Sequence, residues 1–330
     1  MRSGPVVMFS LGGTIAMAGG HLDGGVVTRL TGHDLLAGLG ELERGLDVQV
    51  HDLGARPSAD LTFDAVLDAV DAAGQAVADG ARGIVLTQGT DTLEETAFLV
   101  DAVWPHDAPF VLTGAMRNPT LPGADGPANL SAALRVAASE AARDRGALVV
   151  LDNQVHAAAH VRKSHSTSLA AFTSPDLGPV GRVVEDVPRF LADVPRRPAV
   201  TGFSRARLAG TRIALHLATF DDDGATLDAV AASHQGLVVA GFGVGHVPGA
   251  LAPALGALTE RMPVVLTSRT GAGPVLARTY GAVGSERDLL ERGLVNGGFL
   301  HPYKARVLLR LLVAAGAGHE HVAAGFASYS

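Results

Sequence analysis

Residues 83–104 read GIVLTQGTDTLEETAFLVDAVW and contain the pattern that decides the fold. The segment opens with a continuous apolar run, which is typical of a buried strand, and residues 93–104 have the composition of a helix. Glycine, threonine and aspartate fill the connection between them. A buried strand that leads directly into a helix is the repeating unit of α/β proteins with parallel sheets.

The same unit recurs along the chain. Further apolar runs that predict strands occupy residues 6–9, 110–112, 148–151, 213–216, 237–240 and 264–266. Further helices are predicted over residues 63–78, 128–142, 227–233 and 304–315. The alternation predicts an α/β fold, in which ligands bind outside the carboxyl ends of the parallel strands.

A stretch rich in proline and charge, residues 187–198, interrupts this alternation and reads as a linker. We therefore expect an N-terminal α/β catalytic domain over residues 1–190, a linker over residues 191–211 and a C-terminal α/β domain over residues 212–330. The N-terminal domain is the larger of the two.

The composition excludes several classes of function. With 47% hydrophobic and 18% charged residues, the 330-residue chain has enough apolar material for a substantial core. The net charge is -7 and no segment concentrates Lys and Arg, so a nucleic-acid partner is not expected. The sequence has no cysteine, which excludes disulfides, thiolate metal sites and cysteine nucleophiles.

Location and metal content follow from similar arguments. No apolar stretch reaches the ~20 residues of a membrane span, and the N-terminus lacks the pattern of a signal peptide. We therefore expect a cytoplasmic protein with no membrane partner. His156 and His160 are four residues apart, but no acidic partner accompanies them, so a zinc site is not indicated. No cofactor or metal is expected.

Candidate catalytic residues follow the predicted strands. Residues 10–16, SLGGTIA, place Thr14 in a glycine-rich loop. A nucleotide loop is disfavoured because neither G-x-G-x-x-G nor G-x-x-x-x-G-K-[ST] is completed here. Residues 87–96, TQGTDTLEET, place hydroxyls and a carboxylate at another strand end, and Thr92 with Glu95 fits a helix capping box. Lys163, considered alone, reads as a solvated surface lysine.

Taken together, these segments closely resemble the bacterial L-asparaginase family, whose threonine signatures are T-G-G-T-I-A and T-x-G-T-D-T-x-E-E-T. The similarity extends to GAMR at residues 114–117, ADGPANL at 124–130 and KARVLL at 304–309. It implies a two-domain α/β fold, a homotetramer built from dimers and active sites that a neighbouring subunit completes.

The resemblance also implies roles for individual residues. Thr14 matches the nucleophile that forms an acyl-enzyme, and Thr90, Asp91 and Lys163 match a second catalytic cluster. The substrate-binding residues that it implies are Ser58, Asp91, Ala115 and Glu286. An ordinary lysine is protonated at neutral pH, so Lys163 acts as a base only if its surroundings favour the neutral amine. Whether Lys163 is a base or an orienting group is left open by the sequence.

Some positions depart from the family pattern. Leu11 replaces the first threonine of the glycine signature, Ala59 stands where a substrate-facing Gln is common, and no amide is present around Val244. The loop over residues 17–27, where the family places a lid tyrosine, has none. The tyrosines of the chain all lie in the predicted C-terminal domain: Tyr280, Tyr303 and Tyr329.

The predicted function is L-asparaginase, which hydrolyses L-asparagine to L-aspartate and ammonia. One alternative is an amidohydrolase of the same scaffold that acts on a different or larger amide. Another is a non-catalytic amino-acid-binding protein, although binding alone does not require Lys163. An amidotransferase subunit is not expected, because the chain begins only a few residues before the glycine-rich motif.

Overall fold

A computed structural model describes residues 4–18, 27–28, 30–40 and 45–329 of the chain. These residues separate into two compact units, residues 1–199 and residues 200–330. The boundary falls within residues 191–211, but this segment includes a short helix, and its role as a linker stays a prediction.

The first unit is built around an eight-stranded sheet in the order β12-β11-β8-β7-β6-β5-β1-β4. The strands of this unit are β1 (Val6–Ser10), β2 (Met17–Ala18), β3 (Val27–Thr28), β4 (Val48–Asp52), β5 (Gly83–Thr87), β6 (Phe110–Thr113), β7 (Ala147–Leu151), β8 (Gln154–Ala157), β9 (Arg162–Lys163), β10 (Phe172–Thr173), β11 (Gly181–Val184) and β12 (Val187–Phe190). Its helices are α1 (Gly32–Ala37), α2 (Phe63–Ala78), α3 (Leu93–Val103) and α4 (Gly126–Ala138).

The sheet is mixed. Strands β4, β1, β5, β6 and β7 are parallel, whereas β8, β11 and β12 extend the sheet with antiparallel pairs. The predicted α/β class is confirmed, and the antiparallel extension is a feature that the sequence pattern did not reveal. Ser10, Thr87 and Thr113 are paired across β1, β5 and β6, so the loops that follow these strands leave the sheet side by side.

Burial explains why the central strands form where the apolar runs predict them. All five residues of β5 are buried, and Val85 packs with Val111 of β6 and with Leu130 and Leu134 of α4 in one core cluster. Full burial of an aliphatic side chain contributes about 1.5–3 kcal/mol, so this cluster fixes β5 and the loop that follows it.

The second unit contains a parallel sheet in the order β13-β14-β15-β16. Its strands are β13 (Ile213–Leu217), β14 (Gly236–Gly241), β15 (Val264–Ser268) and β16 (Val295–Asn296). Its helices are α5 (Arg205–Gly210), α6 (Leu227–Ser233), α7 (Ala252–Thr259), α8 (Glu286–Glu291), α9 (Pro302–Ala314) and α10 (His319–Ala327). Within both units, no described helix is long and apolar enough to cross a membrane.

Candidate active site

The loops after β1 and β5 touch through their backbones. Gly13 has φ +94°, and a Cβ atom at this position would lie 2.1 Å from the Gly89 nitrogen. Only glycine fits such a position, because both the backbone conformation and the neighbouring peptide exclude a side chain. Thr14 follows at once, half-buried at the start of a 3₁₀ turn (Thr14–Ala16). The contact therefore holds the Thr14 loop against the loop that carries Thr90.

Lys163 joins this second loop through its ammonium group. Its Nζ lies 2.9 Å from Thr90 Oγ1 and 2.9 Å from Asp91 Oδ1. The side chain of Lys163 is 16% exposed and that of Asp91 is 69% exposed, while Thr90 is buried. As an ammonium, Lys163 donates to both oxygens; as a neutral amine, it could accept the Thr90 proton. The predicted cluster of Thr90, Asp91 and Lys163 is thus brought together.

Lys163 reaches the loop from a short strand pair outside the main sheet. It lies on β9, opposite Phe172 of the antiparallel strand β10. Phe172 is buried, which anchors this strand pair against the core. The position of the lysine is therefore set by packing, although β9 is only two residues long.

Ser58 is also part of this arrangement. It is buried in a 3₁₀ turn, and its Oγ accepts the backbone N–H of Asp91 at 3.2 Å. Its carbonyl oxygen accepts a hydrogen bond of 2.9 Å from Thr92 Oγ1. Ser58 thus lies beside Asp91, as a shared substrate-binding role requires, and that role stays a prediction.

The predicted capping box at the start of α3 is wrong. Thr92 occupies the N-cap position, but its side chain makes no capping hydrogen bond. The hydroxyl instead binds Ser58, which lies 34 residues earlier in the chain. The tertiary hydrogen bond replaces the local one and ties the turn that contains Ser58 to the Thr90 loop.

The loop after β6 is fixed by polar side chains on or next to α4. Asp125 accepts the backbone N–H groups of Met116 and Arg117 at 3.0 and 2.8 Å. Asn129 donates to the Gly114 carbonyl and to Asp125, each at 3.0 Å. The residue between these anchors, Ala115, is buried at 1% exposure, and its predicted substrate-binding role stays a prediction.

Asp125 and Asn129 are residues whose positioning role the sequence reasoning missed. Asn129 is buried and its Oδ1 also accepts the backbone N–H of Asp152. A buried amide that satisfies several backbone groups at once organises the chain around it. The available signal was an asparagine in the ADGPANL segment, on a helix face that is otherwise apolar.

Glu286 belongs to the second unit, where it is fully buried. Its Oε1 accepts the backbone N–H groups of Thr279 and Tyr280 at 3.1 and 2.8 Å, and its Oε2 lies 3.0 Å from His246 Nε2. Burial alone would raise the pKa of Glu286, but the hydrogen bonds from Tyr280 and its neighbours outweigh it and lower the pKa. Both oxygens are occupied within this unit, and the substrate-binding role of Glu286 stays a prediction.

Two further predictions concern the lid loop and the absence of a metal site. Most of the loop predicted to act as a lid lies outside the described residues, which omit positions 19–26. Among the residues that are described, no group of three or more His, Asp or Glu side chains is arranged to hold a metal ion. His156 is buried and hydrogen-bonded to Ser174 Oγ at 2.9 Å.

The fold and this geometry define a class of protein. Thr14, Thr90 and Asp91 follow the parallel strands β1 and β5, on loops in contact through Gly13 and Gly89. Lys163 reaches the second loop from β9, outside the main sheet. Hydroxyl groups held beside an amine and a carboxylate at the edge of an α/β sheet are typical of enzymes that activate a hydroxyl with a neighbouring base.

Comparison with known proteins identifies the family. The family described as "Asparaginase, N-terminal" matches residues 5–196, and "Glutaminase/Asparaginase C-terminal domain" matches residues 212–326. The chain therefore belongs to the asparaginase family and is an amidohydrolase enzyme. The predicted family is confirmed.

Individual relatives agree with this assignment. A protein named "Probable L-asparaginase" from Deinococcus radiodurans is 36% identical over 74% of this chain and 75% of its own length. A glutamyl-tRNA(Gln) amidotransferase subunit from Methanosarcina acetivorans is 29% identical over 92% of this chain and 73% of its own length. The crystal structure of a probable cytoplasmic L-asparaginase from Campylobacter jejuni matches with TM-score 0.89 and 27% identity, over 99% of this chain and 100% of that one.

Proposed function

We propose that this protein is an L-asparaginase, which hydrolyses L-asparagine to L-aspartate and ammonia. The observation that carries the proposal is the position of Lys163 Nζ, 2.9 Å from both Thr90 Oγ1 and Asp91 Oδ1. The loop that carries Thr90 and Asp91 is in backbone contact with the loop that carries Thr14. The names of its relatives support asparagine as the substrate.

In the proposed mechanism, Thr14 Oγ1 attacks the side-chain carbonyl carbon of asparagine. The proton of the Thr14 hydroxyl passes to the departing amide nitrogen, the C–N bond breaks, ammonia leaves, and an aspartyl ester remains on Thr14. Backbone N–H groups of the glycine-rich loops stabilise the oxyanion, and each well-aimed donor contributes about 3–4 kcal/mol. Water then attacks the ester, and its proton passes through Thr90 Oγ1 to the neutral amine of Lys163. The proton returns to Thr14 Oγ1 as the ester C–O bond breaks and aspartate leaves.

The substrate is held by its α-substituents. We place the α-carboxylate at Ser58 and the α-ammonium at Asp91, because Ser58 Oγ accepts the Asp91 backbone N–H at 3.2 Å and the two residues are therefore adjacent. The Ala115 backbone lines the same edge of the sheet, and Glu286 from a neighbouring subunit completes the site. We propose that the enzyme is a cytoplasmic homotetramer, in which this sharing occurs.

The test is ammonia release from L-asparagine by wild type and by Thr14→Ala, with Thr14→Ser as the matched control that keeps a hydroxyl. We expect Thr14→Ala to lose turnover while its melting temperature stays near that of wild type, because only the hydroxyl and a methyl group are removed. Mass spectrometry after a rapid quench should detect an acyl group on the peptide that contains Thr14. An acyl group trapped on another residue would overturn the assignment.

An amidohydrolase of the same scaffold with a different amide substrate is the second candidate. The observation in its favour is the 69% exposure of the Asp91 side chain, which leaves room beside the proposed α-amino position. Ammonia release across a panel of amides, including glutamine and N-acylated asparagine, ranks the substrates by kcat/KM. The absence of turnover with every amide would favour a binding protein instead.

A further inference from the structure

The turn that follows Lys163, residues 164–168, takes no part in the proposed mechanism. Ser164 fixes its base: the backbone N–H and the Oγ of Ser164 both donate to the Ala171 carbonyl, at 2.8 and 3.0 Å. Thr173 Oγ1 adds a hydrogen bond of 3.1 Å to Ser164 Oγ. Residues 165–168 therefore project from an anchored position directly beside the catalytic lysine.

The His165 ring is held in one orientation by this turn. Its Nδ1 accepts the backbone N–H groups of Thr167 and Ser168 at 3.1 and 3.0 Å. A ring nitrogen that accepts hydrogen bonds carries no proton, so the proton of the neutral ring is on Nε2. Among the described residues, none accepts a hydrogen bond from Nε2–H. His165 thus offers one free donor on the ring edge that faces away from the turn.

An open pocket lies at this position. Its volume is ≈ 380 Å³, and Asp91, Lys163, Ser164, His165 and Ser166 line it. A water molecule takes up about 30 Å³, so the pocket has room for a group of several heavy atoms. Asp91 brings a carboxylate to this lining, and His165 brings the ring whose Nε2–H has no acceptor among the described residues.

The charge of the site does not require a cation at Asp91. The carboxylate already forms an ion pair with Lys163, at 2.9 Å. A neutral amide group on the substrate α-nitrogen would keep one N–H for Asp91 and add a carbonyl oxygen as an acceptor. These complementary groups match the donor and the acceptor that the pocket presents.

We propose that this pocket is an acyl subsite: it accepts asparagine whose α-nitrogen is acylated or ends a short peptide, with the acyl carbonyl bound by His165 Nε2–H. This proposal rests on the proposed asparaginase function and extends it to a substrate class. The bond that breaks remains the side-chain amide, and the acyl group takes no part in the chemistry. His165 is a specificity-determining residue in this scheme.

The test compares kcat/KM for N-acetyl-L-asparagine with kcat/KM for L-asparagine in wild type and in His165→Asn. An asparagine side chain can still accept the backbone N–H groups of the turn, but it is too short to donate into the pocket. We expect the ratio of the two constants to fall about fivefold to tenfold, the usual effect of one neutral hydrogen bond. His165→Gln, whose longer amide can reach the pocket, should recover part of the loss.

His51→Asn is the matched control, because His51 is an exposed histidine on the edge strand β4. This variant should keep the wild-type ratio. An unchanged ratio in His165→Asn, or no turnover of N-acetyl-L-asparagine by a wild type that hydrolyses L-asparagine, would overturn the acyl subsite and leave the proposed function intact. If wild type hydrolyses neither compound, the proposed function itself fails and the subsite with it.

Discussion

Replacing Lys163 by Met tests whether the amine acts in catalysis or only in structure. Methionine keeps much of the apolar stem and removes both 2.9 Å contacts, to Thr90 Oγ1 and Asp91 Oδ1. The Asp91 side chain is 69% exposed, so water solvates its carboxylate and the lost ion pair costs at most about 1 kcal/mol. Thr90 is buried and loses its partner, which adds about 1–3 kcal/mol.

The expected loss of activity is measured separately from this loss of stability and matches or exceeds it. A positioned group that transfers a proton contributes about 10²–10⁴-fold to the rate, or about 3–5 kcal/mol of the barrier. Initial rates of ammonia release at saturating asparagine give the first quantity, and urea unfolding gives the second. Thr90→Val should lose a similar factor, and the double variant should be little worse than either, because the two groups act as one unit.

Arg135→Met is the matched control for this experiment. Arg135 pairs with Asp186 at 3.2 Å, with side-chain exposures of 20% and 61% that are close to those of Lys163 and Asp91. It should lose a comparable or smaller amount of stability and keep its turnover. Losses that add in the double variant, or a Lys163→Met rate within about tenfold of wild type, would refute a shared catalytic role.

Two further predictions concern the loop contact and the second unit. Gly13→Ala should sharply reduce both activity and stability, because the new Cβ would lie 2.1 Å from the Gly89 nitrogen. The control is Gly54→Ala, at φ +104° with no atom within 4 Å of the new Cβ, which should cost only about 1–2 kcal/mol of backbone strain. Equal effects in activity assays and thermal melts would contradict this reasoning. The pKa of Glu286 is lowered in the folded protein. Its charge therefore stabilises the fold when the pH is above the unfolded pKa of about 4.3, and this contribution disappears as the pH falls through the folded pKa. The difference in melting temperature between wild type and Glu286→Gln should therefore be full at pH 7 and shrink below about pH 4; a difference that does not vary with pH would exclude the linkage.

Much of the fold could be predicted because the central strands are buried on both faces. A strand such as β5, with every residue buried, appears in the sequence as a continuous apolar run. Strand β11 was missed, and the linker reading of residues 187–198 was wrong for Val187–Phe190, which form β12. The residues of β11 are alternately buried and exposed and those of β12 are exposed or half-exposed, so no apolar run marks either strand. Short helices such as α8 likewise lack a long periodic pattern.

The site could be predicted only in part, since its contacts join distant segments. Lys163 and Thr90 are 73 residues apart, and no local sequence pattern pairs them. Only the family resemblance predicted that these two residues act together. The capping prediction for Thr92 failed for the same reason, because its partner, Ser58, is invisible to a local pattern. The ring orientation of His165 also required coordinates.

The backbone contact between Gly13 and Gly89 has a practical meaning for directed evolution of this scaffold. In a library that randomises either loop, most active variants would be those that keep the two backbones in contact, because a Cβ at Gly13 would lie 2.1 Å from the Gly89 nitrogen of the other loop. Residues 164–166 are exposed and line the pocket beside Lys163, and they are not part of the contact between Gly13 and Gly89. Mutagenesis aimed at new amide substrates should start at residues 165 and 166, because the Ser164 side chain anchors the turn beside Lys163.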